Sequence, residues 1–200
     1  MAAAAFALMS AGFQPPAPGP RAPLHASPML RMCAVGHVSL VVDEEGAASA
    51  GVAIRPSPGR GLGAFSTRDR GVGELVGDYV GEVMSEREKD ARYLNIGTRT
   101  DADELWLRSR RERGVRTSGE YILAVGSGIF IDAEDPQCAN WCRYLNHDAR
   151  PNVALKTLPR GLEGRPRAWF VTTRRILAGE ELVFDYGDDY WNQPGDVKPS

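Results

Sequence analysis

From Gly51 onward the chain carries a succession of short segments rich in β-branched and aromatic residues, separated by turns that contain glycine or proline. Segments of about five residues with this content are typical of β-strands. Their connections are irregular and do not alternate regularly with helices, which disfavours a parallel βαβ sheet. We therefore predict a mostly β domain built from small sheets. The predicted strands cover residues 52–54, 61–65, 74–80, 121–125, 129–132, 153–157, 167–172 and 181–186.

Two helices are predicted between these strands. Ser85 is followed three residues later by Glu88, which is the spacing of a capping box, so a helix is predicted to begin there and to end before Gly97. A second helix is predicted at about residues 102–113, in a polar and arginine-rich stretch. The domain is therefore expected to contain a few short helices beside its sheets.

The composition fits one domain that can bury a core, since 42% of the 200 residues are hydrophobic and 25% are charged. The 24 basic and 26 acidic residues leave a net charge of −2, so no global positive field draws the protein onto nucleic acid or an anionic membrane. Beyond the N-terminal segment, no apolar run approaches the roughly 20 residues of a membrane-spanning helix. We expect a soluble chain without a membrane partner.

The chain has three cysteines, Cys33, Cys138 and Cys142, which are too few for a disulfide framework. Cys138 and Cys142 could supply two metal ligands, but no second pair follows to complete a tetrahedral site. Reduced thiols and no metal are therefore expected.

The first 50 residues differ from the rest, because they begin with an alanine-rich run, continue with many prolines and contain no acidic residue before Asp43. Two interpretations stay open, an organelle-targeting presequence and a disordered low-complexity tail. We predict three parts: residues 1–50 as this N-terminal segment, 51–191 as the folded domain, and 192–200 as a polar tail.

Four separated segments carry residue types that β-strands do not need. They are Gly-Arg-Gly-Leu-Gly at 59–63, Tyr-Val-Gly at 79–81, the stretch 140–152 that contains Asn-His and Pro-Asn, and the stretch 180–187 that contains Phe-Asp-Tyr-Gly. Taken singly, each has an ordinary structural explanation, such as a turn or an aromatic residue in the core. Their occurrence together and in this order favours a shared site.

In this order the segments resemble the SET-domain family of protein-lysine methyltransferases over about residues 55–191. The resemblance implies a mostly β fold, the SET-domain β-clip, with small curved sheets, a few short helices and a C-terminal pseudoknot. In that pseudoknot the last segment passes under a loop, which would bring the Asn-His and Asp-Tyr pairs into one site. Threaded crossings of this kind are rare among folds.

The resemblance also assigns roles. It implies S-adenosyl-L-methionine as cofactor, Tyr186 as the catalytic residue, and Tyr79 and Phe184 as the lining of a narrow channel for the substrate lysine. The implied cofactor-binding residues are Arg60, Gly61, Leu62, Gly63, Tyr121, Arg143, Asn146 and His147. Phenylalanine rather than tyrosine at position 184 implies that dimethylation or trimethylation is possible.

Physical chemistry supports these roles. Methyl transfer from a sulfonium to an amine needs a neutral amine, although a lysine side chain has a pKa of about 10.4 in water. Desolvation in an aromatic channel disfavours the ammonium form and lowers that pKa, so no general base is obligatory. The remaining task is alignment, in which Tyr186 can take part through its hydroxyl.

The sequence departs from the family pattern in two places. Asp148 and Ala149 replace the serine and cysteine that often follow Asn-His, which puts the hydrogen bonding of that loop in doubt. Cysteine-rich segments before and after the domain are absent from the sequence, which implies catalysis without metal. Tyr190 and Trp191 are candidates either to cover the site or to pack at the edge of the core.

The region between Tyr93 and Glu120 corresponds to the variable insert of the family, predicted at about 94–119. It contains a cluster of five arginines, which could meet an acidic partner or a phosphate backbone or could simply be a solvated helix face: Arg108, Arg110, Arg111, Arg113 and Arg116. Direct binding of nucleic acid is not favoured, though this cluster could assist it.

The function predicted from the sequence is methyl transfer to the lysine amine of a histone or another protein. The alternative is a catalytically silent SET-like module that binds a peptide or serves as a scaffold. A histone substrate would place the protein in the nucleus, whereas a presequence would place it in a plastid or mitochondrion.

Overall fold

The computed structural model describes residues 43–187 and Tyr190. Ten short strands in this part of the chain form four small sheets. The strands are β1 (Val52–Ser57), β2 (Gly61–Ser66), β3 (Leu75–Asp78), β4 (Glu82–Ser85), β5 (Ile122–Gly126), β6 (Ile129–Asp132), β7 (Asn146–His147), β8 (Val153–Leu158), β9 (Arg167–Thr172) and β10 (Val183–Phe184). The helices are α1 (Glu44–Ser49), α2 (Glu86–Lys89), a π-helical turn (Asp90–Leu94), α3 (Asp101–Glu112) and two 3-10 turns (Trp141–Tyr144 and Leu162–Gly164).

β1 and β2 form an antiparallel hairpin whose turn carries the first glycine-rich segment. The amide of Arg60 donates to the carbonyl of Ser57 at 3.0 Å and closes the turn. Gly59 and Gly61 have φ angles of 72° and 74°, a left-handed region that glycine enters without steric penalty. The hairpin therefore holds Arg60 between two glycines at its tip.

Two three-stranded antiparallel sheets, with strand orders β3-β9-β8 and β4-β6-β5, provide the frame of the domain. Alternate residues of β9 are buried, and its Phe170 is completely inaccessible to solvent. The Phe170 ring packs edge-on against the rings of Tyr79 and Phe184, with centroid distances of 6.2 and 4.8 Å. The core therefore extends directly to the residues predicted to line the channel.

The C-terminal segment crosses beside the loop that follows β7, where β10 pairs in parallel with that two-residue strand. Asn152 joins the two segments and is only 2% exposed. Its side chain donates to the Glu181 carbonyl at 2.7 Å and accepts from the Val183 amide at 2.9 Å. The predicted mostly β fold with small sheets and short helices is confirmed, and the last segment lies where the predicted pseudoknot requires it.

The helical region of the insert is fixed by one buried carboxylate. Thr100 and Asp103 form a capping box at the start of α3. Asp103, which is fully buried, accepts hydrogen bonds from Arg87 and Arg92, both at 2.8 Å. These bonds, with that of Arg87 the largest contribution, hold the pKa of the Asp103 carboxyl well below its usual value. α3 is thereby tied to α2 and to the π-helical turn.

The arginine cluster of the insert is not a single surface. Arg110 is 1% exposed and forms an ion pair with Asp132 at 2.6 Å. Arg113 pairs with the buried Asp135, also at 2.6 Å. The expectation that all five arginines could face a partner is therefore wrong for these two, because buried carboxylates of the domain already hold them. Arg108, Arg111 and Arg116 are exposed.

Several predicted elements agree with the structure and a few differ in length. The helix at about 102–113, the capping box at Ser85 and the strands around Gly126–Gly128 are confirmed. The strand predicted at 74–80 ends at Asp78, and the one predicted at 181–186 is only Val183–Phe184, because its partner β7 has two residues.

The segment assigned to residues 1–50 includes the described helix α1, whose Ala47 is buried in the core. The packed domain therefore reaches back at least to Asp43, which caps α1. Residues 1–42, Trp191 and the predicted tail at 192–200 lie outside the described residues. None of the described helices has the length and apolar character needed to cross a bilayer.

Candidate active site

Two adjoining cavities, of about 420 and 440 Å³, lie among the described residues. The first, here called the glycine-loop cleft, is bordered by Arg60, Gly61, Leu62 and Asn146. The second, here called the aromatic channel, is bordered by Tyr79, Leu155 and Phe184 among others. The two cavities share a wall made of Glu120, Tyr121, Arg143, Tyr186 and Tyr190.

Tyr186 stands in this shared wall and is held from several directions. Its hydroxyl donates to the carbonyl of Leu145 at 2.9 Å, and its amide donates to Nδ1 of His147 at 3.2 Å. Its ring packs against those of Phe184 and Tyr190, each with a centroid distance of 4.7 Å. Burial raises the pKa of the Tyr186 hydroxyl, so this group remains a neutral phenol at physiological pH.

His147 lies behind the wall and does not border either cavity. It is 7% exposed, and its ring packs edge-on against Tyr186 at a centroid distance of 5.4 Å. Because its Nδ1 accepts the hydrogen bond from the Tyr186 amide, the neutral ring carries its proton on Nε2. Its carbonyl accepts from Nη1 of Arg60 at 2.9 Å. The visible role of His147 is to support Tyr186 and Arg60.

Glu181 is the centre of the hydrogen-bond network beneath the glycine-loop cleft. One carboxylate oxygen accepts from Nη2 of Arg60 at 2.7 Å and from the Ser57 hydroxyl at 3.0 Å. The other accepts from Nδ2 of Asn146 at 2.8 Å. The same Asn146 nitrogen donates to the Leu62 carbonyl at 3.1 Å. Three distant segments of the chain are thus joined at one carboxylate.

Gly63 belongs to this network although it does not border the cleft. A Cβ atom at this position would overlap Oε1 of Glu181 and would lie 3.0 Å from Nδ2 of Asn146. The φ angle of Gly63 is not positive, so the requirement for glycine is one of space rather than of backbone conformation.

The aromatic channel brings together the two residues predicted to line it. The Tyr79 hydroxyl donates to the Tyr121 carbonyl at 2.9 Å, and burial raises the pKa of Tyr79 well above its usual value. Phe184 is 6% exposed and presents no polar atom. Tyr79 and Phe184 are therefore the aromatic, uncharged part of a lining that also includes Lys89, Glu120 and Arg143.

Tyr121 and Arg143 form another part of the shared wall. The Arg143 guanidinium lies over the Tyr121 ring, 4.0 Å from its centroid, which is cation–π geometry. Its Nη1 donates to the Glu134 carbonyl at 3.1 Å. The Glu134 carboxylate in turn accepts from the amide and the hydroxyl of Ser118, at 2.7 and 2.6 Å. The end of the insert is thereby fastened to the wall.

The comparison with known proteins identifies the fold family. A family model described as the SET domain matches residues 61–187, which is more than half of the chain. The chain belongs to the SET-domain family.

Among the curated relatives is "Histone-lysine N-methyltransferase, H3 lysine-36 specific" of Eremothecium gossypii, 28% identical over 140 residues, or 70% of this chain and 18% of that protein. "Histone-lysine N-methyltransferase EHMT1" of Mus musculus is 31% identical over 141 residues, or 68% of this chain and 9% of that protein. "Histone-lysine N-methyltransferase EZH2" of Chaetomium thermophilum is 32% identical over 132 residues, or 66% of this chain and 8% of that protein. The chain spans less than a fifth of the length of each of these relatives.

Within the SET domain, the loop that departs from the family pattern keeps its own hydrogen bonds. The amide of Asp148 donates to the Phe184 carbonyl at 3.2 Å, and its carboxylate accepts from the Arg150 amide at 2.9 Å. The same carboxylate lies 3.8 Å from Nη1 of Arg60. Aspartate at this position therefore supports the loop in place of the usual serine.

The sequence makes Tyr190 a candidate either to cover the site or to pack at the edge of the core, and the structure places it at the border of both cavities, packed on Tyr186. Glu181 was not predicted as a site residue. Nothing in the sequence separates it from Glu180, which pairs with Arg174 at 2.7 Å outside the cleft. Only the fold distinguishes the two neighbouring glutamates.

The glycine-loop cleft fits S-adenosyl-L-methionine, the cofactor that SET-family methyltransferases generally use. Its volume is within the range of small-molecule sites. It combines an aromatic wall at Tyr121 and Tyr186 with a polar edge at Asn146, as a ligand with an adenine and an amino-acid end requires. Among residues 43–187 and Tyr190, no group of three or more His, Cys, Asp or Glu side chains is placed to hold a metal ion.

Proposed function

We propose that this SET domain is an S-adenosyl-L-methionine-dependent protein-lysine N-methyltransferase. The observation that carries the proposal is the meeting of a polar cleft and an aromatic channel at one partly buried tyrosine, Tyr186. Methyl transfer to an amine is an in-line displacement, so donor and acceptor must approach one point from opposite directions. Two cavities whose linings share Tyr186 support such an approach from two sides.

The residues that border the glycine-loop cleft would hold the cofactor, which supplies a methyl group on a positively charged sulfur. Gly61 and Leu62 would contact it through the backbone, and Asn146 through its side-chain amide. Arg60 borders the cleft, but its guanidinium already donates to Ser57, His147 and Glu181. We infer that Arg60 acts mainly by holding the loop in place. Gly63 and His147 would support the site from behind.

Tyr79 and Phe184 would line the path of the substrate lysine. The apolar surface of these two rings disfavours the ammonium form of the amine, as do the positive charges of Lys89 and Arg143 in the same lining, and methyl transfer requires the neutral form. Since the raised pKa of Tyr186 keeps it protonated, Tyr186 would orient the reacting groups rather than remove a proton. The bond from its hydroxyl to the Leu145 carbonyl fixes the direction of the ring.

Phe184 further supports the transfer of more than one methyl group. It packs between Phe170 and Tyr186, and its ring offers no hydroxyl to hold a water beside the amine. The space that such a water would occupy is left for methyl groups already transferred. We therefore propose dimethyl or trimethyl product, which mass spectrometry would contradict if only monomethyl lysine formed with excess enzyme.

The protein substrate is proposed to be a histone or another protein with an accessible lysine. The names of these relatives make histones the first substrates to test. The location of the protein, in the nucleus or in an organelle, follows from the substrate and remains a prediction.

The test measures cofactor binding and methyl transfer separately. Thermal shift with S-adenosyl-L-methionine reports binding, and labelled methyl transfer to histones and to proteins of a lysate reports activity. Both are compared between wild type and Tyr186→Phe, which removes one hydroxyl and keeps the ring. We expect the variant to keep its thermal shift and to lose at least about 100-fold in transfer, equivalent to about 2.7 kcal/mol.

Each outcome has a clear meaning. Transfer by the wild type, found on lysine by mass spectrometry and lost in Tyr186→Phe, supports the proposal. A thermal shift without transfer to any protein favours the catalytically silent module. A wild-type protein that shows no thermal shift with the cofactor overturns the proposal.

A further inference from the structure

We propose that Glu181 is a positioning residue that fixes which end of the Asn146 side chain faces the glycine-loop cleft. The fixed end is the carbonyl oxygen, so this edge of the cleft selects a ligand that carries an amino or ammonium group. The inference rests on the proposed function, in which the ligand is S-adenosyl-L-methionine or its product, S-adenosyl-L-homocysteine.

The orientation of the Asn146 amide follows from its neighbours. An asparagine side chain has two N–H donors on Nδ2 and one acceptor, Oδ1. Nδ2 lies 3.1 Å from the Leu62 carbonyl and 2.8 Å from Oε1 of Glu181, and both of these oxygens can only accept. If the amide were turned around, Oδ1 would face two acceptors. With both donors used inside the protein, Oδ1 is what Asn146 offers to a ligand in the cleft that it borders.

Glu181 can impose this orientation because its own carboxylate cannot turn. Oε2 accepts from Nη2 of Arg60 at 2.7 Å and from the Ser57 hydroxyl at 3.0 Å. The side chain is 13% exposed, and Gly63 packs so closely that even a methyl group would overlap Oε1. The Glu181 carbonyl is also held, by the side chain of Asn152 at 2.7 Å. Both carboxylate oxygens of Glu181 and its backbone are therefore held in place.

Glu181→Gln is the informative change, because glutamine keeps the shape of the side chain but has only one acceptor oxygen. That oxygen must serve either Arg60 or Asn146. A hydrogen bond from a guanidinium is about twice as strong as one from a neutral amide, so the oxygen is expected to stay with Arg60. The new NH₂ group then faces Nδ2 of Asn146, donor against donor, and favours rotation of the Asn146 amide.

Two ligands distinguish this effect from general damage to the site. They are S-adenosyl-L-homocysteine and its analogue without the α-amino group, whose affinities are measured by isothermal titration calorimetry. We expect wild type to prefer the ligand with the amino group by about tenfold or more, as for a hydrogen bond to a charged group. In Glu181→Gln the preference should fall to within about threefold, through weaker binding of the amino ligand alone.

Glu180→Gln is the matched control, since Glu180 pairs with Arg174 and lies outside the cleft, and it should keep the wild-type preference. Glu181→Asp provides a second variant, whose shorter side chain keeps the charge but cannot reach both Arg60 and Asn146, and its preference should also fall. Thermal unfolding checks that each variant is folded.

The possible failures differ from one another. If wild type binds neither ligand, the proposed function fails and this inference fails with it. If wild type binds and both Glu181 variants keep its preference, the inference alone is overturned. A uniform loss of affinity for the two ligands would assign Glu181 a purely structural role and would also overturn it.

Discussion

Replacing Gly63 by alanine tests whether the network beneath the cleft needs its present spacing. Alanine is conformationally acceptable here, because the φ angle of Gly63 is not positive. The added Cβ would overlap Oε1 of Glu181, would lie 3.0 Å from Nδ2 of Asn146, and would lie 3.0 Å from the Ser57 Cβ. Ordinary contacts to a carbon atom are about 3.5 Å or longer, so the carboxylate and the amide must both move away.

The expected loss of stability in Gly63→Ala follows from the crowding around the added Cβ. Overpacking of a closely packed site costs about 1–3 kcal/mol, and we expect about 2 kcal/mol for Gly63→Ala because two hydrogen-bonded groups must shift together. In a domain of this size that corresponds to a decrease in Tm of about 4–8 °C. The affinity for S-adenosyl-L-homocysteine should fall about tenfold or more, since the displaced Asn146 borders the cleft.

The assays are thermal unfolding and calorimetric titration with the same ligand. Gly71→Ala is a suitable control, because a Cβ at Gly71 would have no heavy atom within 4 Å and its φ angle is not positive. That variant should stay within about 0.5 kcal/mol of wild type and bind equally well. Wild-type stability and affinity in Gly63→Ala would refute the reasoning about this network.

Three further predictions concern the frame and the chemistry of the site. Gly81→Ala should destabilise the domain by more than about 3 kcal/mol in urea unfolding, because its Cβ would overlap the backbone carbonyl of Asp132 in the paired strand; wild-type stability would contradict this. Asp103→Asn should lower Tm at pH 7. In wild type the pKa of the Asp103 carboxyl is lowered, first by the hydrogen bond from Arg87, so its contribution to stability is complete above about pH 3.9 and is lost at lower pH. The difference in Tm between the variant and wild type should therefore shrink as the pH falls from 5 toward 2. A constant difference would argue against the assignment. The initial rate of methyl transfer should rise between pH 7 and 10 as the substrate lysine loses its proton; a decrease below pH 10 that Tyr186→Phe abolishes would contradict the raised pKa of Tyr186.

The parts of the fold that could be predicted from the sequence are those determined by local residues. β5 and β6 follow from β-branched residues on both sides of the Gly126–Gly128 turn, and α2 follows from the capping-box spacing of Ser85 and Glu88. The length of β10 could not be predicted in this way. Its sequence favours a longer strand, but pairing is limited by the two residues of β7, a tertiary restriction.

The candidate site likewise contains residues that the sequence identifies and residues that only the fold identifies. Tyr186, Tyr79 and Phe184 could be proposed from their motifs, and the structure brings them to one wall and one channel. Glu181 and Arg110 could not be assigned, because their roles depend on partners 35 and 22 residues away in sequence, Asn146 and Asp132. A charged residue has the same appearance in a sequence whether it is solvated or serves as the centre of a buried network.

The central claim is that a donor and a lysine reach Tyr186 through two separate cavities. A crystal structure of the protein grown with S-adenosyl-L-homocysteine tests it most directly. We predict that the ligand occupies the glycine-loop cleft beside Asn146 and leaves the aromatic channel open. A ligand found in the aromatic channel, or bound at a surface away from Tyr186, would contradict the account.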